Sequence, residues 1–287
     1  MIKIDEILKN FPKRAPDAGK NDFGHVLVMA GSGGYTGAAY LTSQAAILSG
    51  SGLVTLAVGK SIYPIMAQKL TEVMVKQFFE TRDYSLSLMA EKELLNFSEK
   101  CTAIAIGPGI SRNKETQALV RSLLGKMGKP IILDADGINA FAGHVDSLKS
   151  GKAPLVLTPH IGEMARLLDK DIEEVKNNRK DIALEFAHKY NIVLVLKGHE
   201  TIVARPDGAI YMNATGNVGM ATGGTGDVLT GMIASFVGQG MDAFSAASAG
   251  VYFHGLAGDL AAKEKGILSL IATDLLNKLP EVLKSIG

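Results

Sequence analysis

The sequence predicts an α/β fold: a mostly parallel central sheet with helices on both faces and an antiparallel strand pair at one edge. Three observations carry this. Short apolar runs rich in Val and Ile recur along the chain, longer stretches with helical spacing separate them, and late in the chain two short apolar runs flank Pro206-Asp207-Gly208. Runs that are apolar throughout suit strands covered on both faces, and alternation with helices makes neighbouring strands parallel. A Pro-Asp-Gly turn instead reverses the chain directly and pairs its flanks antiparallel.

In chain order, residues 25–30 read as the first buried strand and residues 36–49 as the helix that follows it. Residues 53–58, 102–106, 130–134, 155–158 and 192–196 read as further buried strands, each a short Val/Ile-rich run. Residues 114–126 and 172–190 have the apolar spacing of helices. Residues 201–204 and 210–213 form the hairpin. The last third is mostly helical, over residues 227–239, 243–263 and 272 to the end.

Length and composition bound the rest. A chain of 287 residues without a repeat, linker or low-complexity segment suits a single domain over residues 1–287. Hydrophobic residues at 47% and charged residues at 21% exclude the signature of disorder. The formal net charge is +1 and no Lys/Arg run stands out, so the expected partner is a small molecule and not a nucleic acid. No apolar stretch reaches membrane-spanning length, and the first residues mix charges where a signal peptide has a basic end and then an apolar run, which points to no membrane and to the cytoplasm. A lone cysteine, Cys101, cannot form an internal disulfide; at the start of a strand it reads as a packing residue. The six histidines show no ligand spacing, so no protein metal cage is expected.

The most informative stretch runs from Asn213 to Met232, where glycines crowd together just ahead of a helix-like run. The first amides of a helix lack internal acceptors and sit at the positive end of its dipole, so they attract anions. Gly223, Gly224, Thr225 and Gly226 let the backbone bend into a nest of N–H groups suited to phosphate. Asp227 adjoins them, and a carboxylate there repels phosphate unless it serves as a base on a group under attack. Without that role it is a first-turn helix residue favoured by the dipole. Two other nucleotide signatures fail. Gly59-Lys60-Ser61 has Val54 where a P-loop needs its leading glycine, and Thr36 stands where a dinucleotide fingerprint needs its third.

These residues resemble the ribokinase-like proteins, whose Gly-Thr-Gly-Asp signature stands here as Gly224-Thr225-Gly226-Asp227. More narrowly the chain resembles the ADP-dependent NAD(P)H-hydrate dehydratases. That likeness is carried by Gly-Ser-Gly-Gly-Tyr-Thr-Gly-Ala-Ala at residues 31–39, Ile-Gly-Pro-Gly at 106–109, Leu-Thr-Pro-His-Ile-Gly-Glu at 157–163 and Val-Leu-Lys-Gly at 195–198. It covers nearly the whole chain from Asp22 onward. The resemblance implies a ribokinase-like fold and an ADP-dependent hydro-lyase that restores NADH or NADPH from its hydrate, NADHX or NADPHX, releasing AMP and phosphate. It implies that Asp227 contacts the hydrated nicotinamide and activates its hydroxyl, and that Ala38 or Ala39, Gly109 and His160 line the substrate pocket. It further implies that Lys197, Gly198, His199, Glu200 and Thr201 bind the nucleotide phosphates, with Gly226 against the nucleotide. A lysine point charge beside glycine-exposed amides suits a diphosphate on physical grounds as well. Magnesium is expected on the phosphates and not in a protein cage. A homo-oligomer, a tetramer in this likeness, and a separate epimerase protein complete the implied set. Within Asp134-Ala-Asp136-Gly-Ile-Asn139, Gly137 replaces an expected alanine, and Asp136 and Asn139 read equally well as caps.

Two other readings are weighed against this one. A kinase of the same fold, acting on a hydroxymethylpyrimidine or hydroxyethylthiazole, shares Gly-Thr-Gly-Asp but not the Thr-Pro-His-x-Gly-Glu and Gly-Pro-Gly stretches. A nucleotide sensor without turnover has no need of Asp227.

Overall fold

The computed structural model describes residues 2–9 and 11–286. One nine-stranded sheet runs through it. Its strands are β1 (His25–Met29), β2 (Leu53–Gly59), β3 (Met74–Phe78), β4 (Ala103–Ile106), β5 (Ile131–Leu133), β6 (Leu155–Leu157), β7 (Val193–Leu196), β8 (Ile202–Ala204) and β9 (Ile210–Met212). They lie in the order β3-β2-β1-β4-β5-β6-β7-β8-β9. Neighbours from β3 to β7 are parallel, and β7, β8 and β9 pair antiparallel, as the sequence predicts.

The helices are α1 (Ile4–Leu8), α2 (Thr36–Leu48), α3 (Tyr63–Lys69), α4 (Glu91–Ser98), α5 (Lys114–Lys126), α6 (Asp136–Asn139), α7 (Ile161–Leu168), α8 (Ile172–Asn177), α9 (Arg179–Tyr190), α10 (Thr225–Gly238), α11 (Ala243–Lys265) and α12 (Ala272–Leu283). Alternate side chains of each strand serve two cores. Val26 and Val28 join residues of α2, α10, α11 and α12 on one face, while Leu27 and Met29 join residues of α4, α5, α7 and α9 on the other. Period-two alternation between two covered faces is why these strands are apolar at every position. Among the described residues no helix is long and apolar enough to cross a membrane.

Two expectations are corrected and one strand was not anticipated. The single helix expected over residues 172–190 is two helices, because Asn178 leaves the helical conformation at φ −119°, ψ 27° and its side chain donates to Glu174 O at 2.9 Å. Strand β3 escapes a search for apolar runs: it lies at the sheet edge, and only Phe78 of its five residues is buried. The last helix stops at Leu283, where a 3-10 turn over Lys284–Ile286 follows, and Gly287 lies outside the described residues.

The order of strands creates the place for a site. From β1 the chain moves outward to β2 and β3, then returns to lay β4 on the other side of β1. The chain therefore runs on in opposite directions from the carboxyl ends of β1 and β4, and it is in the crevice outside such strand ends that open α/β sheets bind ligands.

Candidate active site

Two glycine loops meet at that crevice. After β1, the Gly31 amide donates to Pro108 O at 2.8 Å, and Ser32 Oγ donates to Gly109 O at 2.8 Å. Gly109 has φ +62°, and a Cβ there would stand 2.8 Å from Tyr35 Cβ and 2.9 Å from Ala38 Cβ. Only glycine allows the two loops to close so tightly. Ala38, in the first turn of α2, is partly exposed on this wall, whereas Ala39 is fully buried and faces Gly31. Of the two alanines the sequence left open, only Ala38 is accessible.

Farther along the same rim, charged groups converge from three strand ends. Asp134, one residue past β5, is 1% exposed, and its Oδ1 accepts from Lys197 Nζ at 2.7 Å and from Thr158 Oγ1 at 2.8 Å. Glu163 Oε2 lies 3.9 Å from the same ammonium. Burial pulls the Lys197 pKa down, but Asp134 and then Glu163 outweigh it, so the net shift is upward and the lysine stays charged. Next to Asp134, Ala135 is held at φ 49°, ψ −119°, a conformation costly for a residue with a side chain. Gly137 fits where it does because a Cβ there would come within 2.6 Å of Ile106 O.

His160 caps α7. Its Nδ1 accepts from the amides of Gly162 at 3.0 Å and Glu163 at 3.3 Å, while Glu163 Oε2 accepts from the His160 amide at 2.8 Å. This reciprocal capping box leaves more than half of the imidazole exposed at the rim. The Lys197 amide donates to Pro159 O at 2.8 Å, which draws β7 against this corner.

The glycine-rich stretch singled out in the sequence lies at the start of α10. Gly224 stands before the helix at φ +93° with no side chain capping it, and the first helical bond is made by Val228 N to Gly224 O at 3.2 Å. The amides of Thr225, Gly226 and Asp227 precede that bond and find no acceptor among the described residues. Gly226 sits against the charged cluster: a Cβ on it would be 3.2 Å from Lys197 Nζ and 3.8 Å from Asp134 Oδ2. Burial, reinforced by Asp134 and only partly opposed by Lys197, pushes the Asp227 carboxyl up to about 7. Thus unpaired helix-start amides, a fixed ammonium and a carboxyl able to exchange a proton near neutrality share one corner.

A sequence model of the NAD(P)H-hydrate dehydratases matches residues 26–281. The chain belongs to the NAD(P)H-hydrate dehydratase family. It is 45% identical over 275 residues to a bifunctional NAD(P)H-hydrate repair enzyme of Moorella thermoacetica, covering 96% of this chain and 52% of that one. The chain spans about half the length of such bifunctional relatives. It is 35% identical over 277 residues to an ADP-dependent (S)-NAD(P)H-hydrate dehydratase of Xanthomonas campestris, covering 96% of this chain and 93% of that one. The solved structure of the ADP/ATP-dependent NAD(P)H-hydrate dehydratase from Bacillus subtilis, co-crystallized with ATP/Mg2+, superposes with a TM-score of 0.85 at 32% identity, covering 99% of this chain and 98% of that one. The fold is the ribokinase-like one expected from the sequence.

In this member of the dehydratase family the expected site residues fall into three groups. Ala38, Gly109, His160, Lys197 and residues 223–227 lie on the rim at strand or helix ends. Ala39 is withdrawn into the core. Residues 198–201 form a tight turn in which Thr201 Oγ1 donates to Gly198 O at 2.9 Å, and Arg179, from the start of α9, donates to His199 O at 2.6 Å and Glu200 O at 3.1 Å. The Gly59-Lys60-Ser61 segment is turned elsewhere, with the Ser61 amide and hydroxyl on the Glu80 carboxylate at 2.9 and 2.6 Å. Cys101 is buried and its thiol pushed up to about 11, in keeping with a packing role.

The sequence reading did not single out Asp134, Arg179 or His254. Asp134 was legible as a carboxylate at the end of a buried strand; the other two act on loops remote in sequence and leave no local signal. His254, buried on α11 with its pKa held down to about 4 by burial, has Nε2 2.8 Å from Thr225 O.

Proposed function

We propose that this chain dehydrates the S epimer of NADHX and NADPHX in an ADP-dependent reaction, giving NADH or NADPH, AMP and phosphate. The observation that carries the reading is the placement of Asp227, a carboxyl with a pKa near 7 at the mouth of an uncapped amide nest. A general base works best when its pKa lies near the working pH, and here the groups around it produce that match.

In this reading the hydroxyl on the hydrated ring attacks the terminal phosphorus of ADP and gives its proton to Asp227. The bond to the bridging oxygen breaks and AMP departs. The Thr225 and Gly226 amides hold the equatorial oxygens of the phosphoryl group, and Lys197, anchored by Asp134, keeps its remaining N–H donors beside them. The ring nitrogen's lone pair then expels phosphate, and loss of a proton from the adjacent carbon restores the reduced ring. Ala38, Gly109 and His160 line the side of the crevice that takes the dinucleotide, with Ala39 behind them, and residues 197–201 lie along the nucleotide phosphates. Among the described residues no three acidic, His or Cys side chains converge as a metal cage. Magnesium would sit on the nucleotide phosphates and neutralise their charge.

The reading extends to a single domain, the cytoplasm and a homo-oligomer. Interconversion of hydrate epimers belongs to a catalytic unit other than the one described.

The test is to incubate NADHX with ADP and magnesium and follow the absorbance of reduced nicotinamide. Activity should climb as pH passes about 7, where Asp227 loses its proton, and then level off. Asp227→Asn should lower kcat by roughly 10²- to 10⁴-fold. Unchanged activity in that variant removes Asp227 from the mechanism, and a phosphorylated alcohol in place of free phosphate replaces the reading with a kinase.

A further inference from the structure

We propose that His254 is a positioning residue that fixes and polarises the Thr225–Gly226 peptide, so that the Gly226 amide meets a phosphoryl oxygen as a better-aimed and stronger donor. The inference rests on residues 223–226 being the anion nest of the proposed function. The carbonyl of Thr225 and the N–H of Gly226 belong to one planar, conjugated unit. A donor on the carbonyl oxygen draws electron density through that unit and makes its N–H more positive, the cooperativity seen in chains of hydrogen bonds.

The geometry supports this at each link. His254 Nε2 is 2.8 Å from Thr225 O, and a carbonyl can only accept, so Nε2 carries the proton and Nδ1 is bare. As the first residue of α10, Thr225 already has its carbonyl in the helix ladder, which supplies a donor from four residues on. A second donor is not needed to satisfy that oxygen; it acts on the direction and polarity of the peptide. With its pKa near 4, the ring stays neutral across the working range and adds no net charge beside Lys197.

Helix α11 is built to hold this element in register. Asp259 takes the Gly216 amide and Asn217 Nδ2, each at 2.9 Å. Thr215 Oγ1 donates to Tyr252 O at 2.9 Å, and Asn213 Nδ2 to Val251 O at 3.3 Å. Gly255 and Gly258 lie where Thr215 and Met220 cross the helix, and a Cβ on either would collide with them. These ties fix the approach to the nest, and His254 fixes the nest's own peptide.

Two variants separate positioning from support. His254→Phe keeps the ring volume and removes the donor, while His254→Gln puts an N–H close to where Nε2 was. We expect His254→Phe to lower kcat about 5- to 20-fold with the KM for ADP within about threefold, and His254→Gln to return to within about threefold of wild type. In protein carrying isotope-labelled glycine, the Gly226 amide proton should move upfield in His254→Phe and return in His254→Gln. The nitrogen shifts of His254 in the wild type should report the Nε2–H tautomer. A bare Nε2, an unmoved Gly226 signal in His254→Phe, or equal loss of kcat in both variants overturns the proposal. The tautomer and the Gly226 signal need no turnover, so they decide the matter even if NADHX is not a substrate, and the tautomer and His254→Gln decide it if His254→Phe does not fold.

Discussion

Gly226 and Lys197 share one corner, and the segments that carry them, residues 223–226 and residues 197–201, are held by opposite means. The first segment is open at Gly223, where a Cβ would touch nothing within 4 Å, and its Thr225 and Gly226 amides find no acceptor among the described residues. The second is filled from within, with Lys197 on Asp134 at 2.7 Å and the following carbonyls on Arg179. One segment keeps these two amide donors available to a ligand while its Thr225 hydroxyl and carbonyl are committed to the protein; the other has committed its ammonium and carbonyls as well. A lysine read from sequence as a free phosphate ligand is, in the fold, half of a buried ion pair, and its removal should register first in stability.

The largest expected effect tests that contrast. Lys197→Met leaves the Asp134 carboxylate buried and unpaired and should destabilise the protein by about 3–5 kcal/mol in denaturant melts, most of it recovered by adding Asp134→Asn while ADP binding stays weak. Equal stability of Lys197→Met and wild type would break the comparison.

Asp227 gives the next effect, of opposite sign. Its pKa rises from an ordinary value near 4 in the unfolded chain to about 7 in the fold, so folding takes up a proton between those values. The stability it contributes is complete below about pH 4 and is lost as pH rises through about 7. Asp227→Asn should therefore match the wild type near pH 4 and exceed it at pH 8 by on the order of 3 kcal/mol, read from melting curves at the two pH values.

A smaller effect separates neighbouring glycines. Gly224→Ala, at φ +93° with Leu41 Cδ1 2.5 Å from the new methyl, should cost about 2 kcal/mol. Gly223→Ala should cost about 0.5 kcal/mol or less. Smallest of all, Arg179→Lys replaces a fork that grips two carbonyls with a point charge, and should raise the KM for ADP about threefold with kcat unchanged.

What the sequence made legible follows the same division. Strand positions, the hairpin and the nest are local matters, written in runs of Val and Ile, in Pro206-Asp207-Gly208 and in the glycines before α10. Asp227 stood out because its charge conflicts with its neighbours. The partners that set its pKa were not legible, because Asp134 and Lys197 lie 63 residues apart in the chain and meet only when β5 and β7 take their places in the sheet. His254 was hidden for a related reason. In a run of small residues on α11 it reads as part of a packing face, and only the crossing of residues 213–220 over Gly255 and Gly258 shows what that face receives. The break at Asn178 was lost because both halves of the expected helix keep helical spacing.

One flank of the sheet ends at β3, with no further strand beside it among the described residues. Midway along it Lys76 reaches Glu93 at 2.8 Å and lies over the rings of Phe78 and Phe97 at 5.1 and 5.9 Å. A second molecule seeking to add its own strand there would have to strip water from that ammonium, which is how natural sheets discourage growth into fibres. The polar side chains that conceal β3 from a search for apolar runs are thus the same ones that make its edge a poor template for another strand.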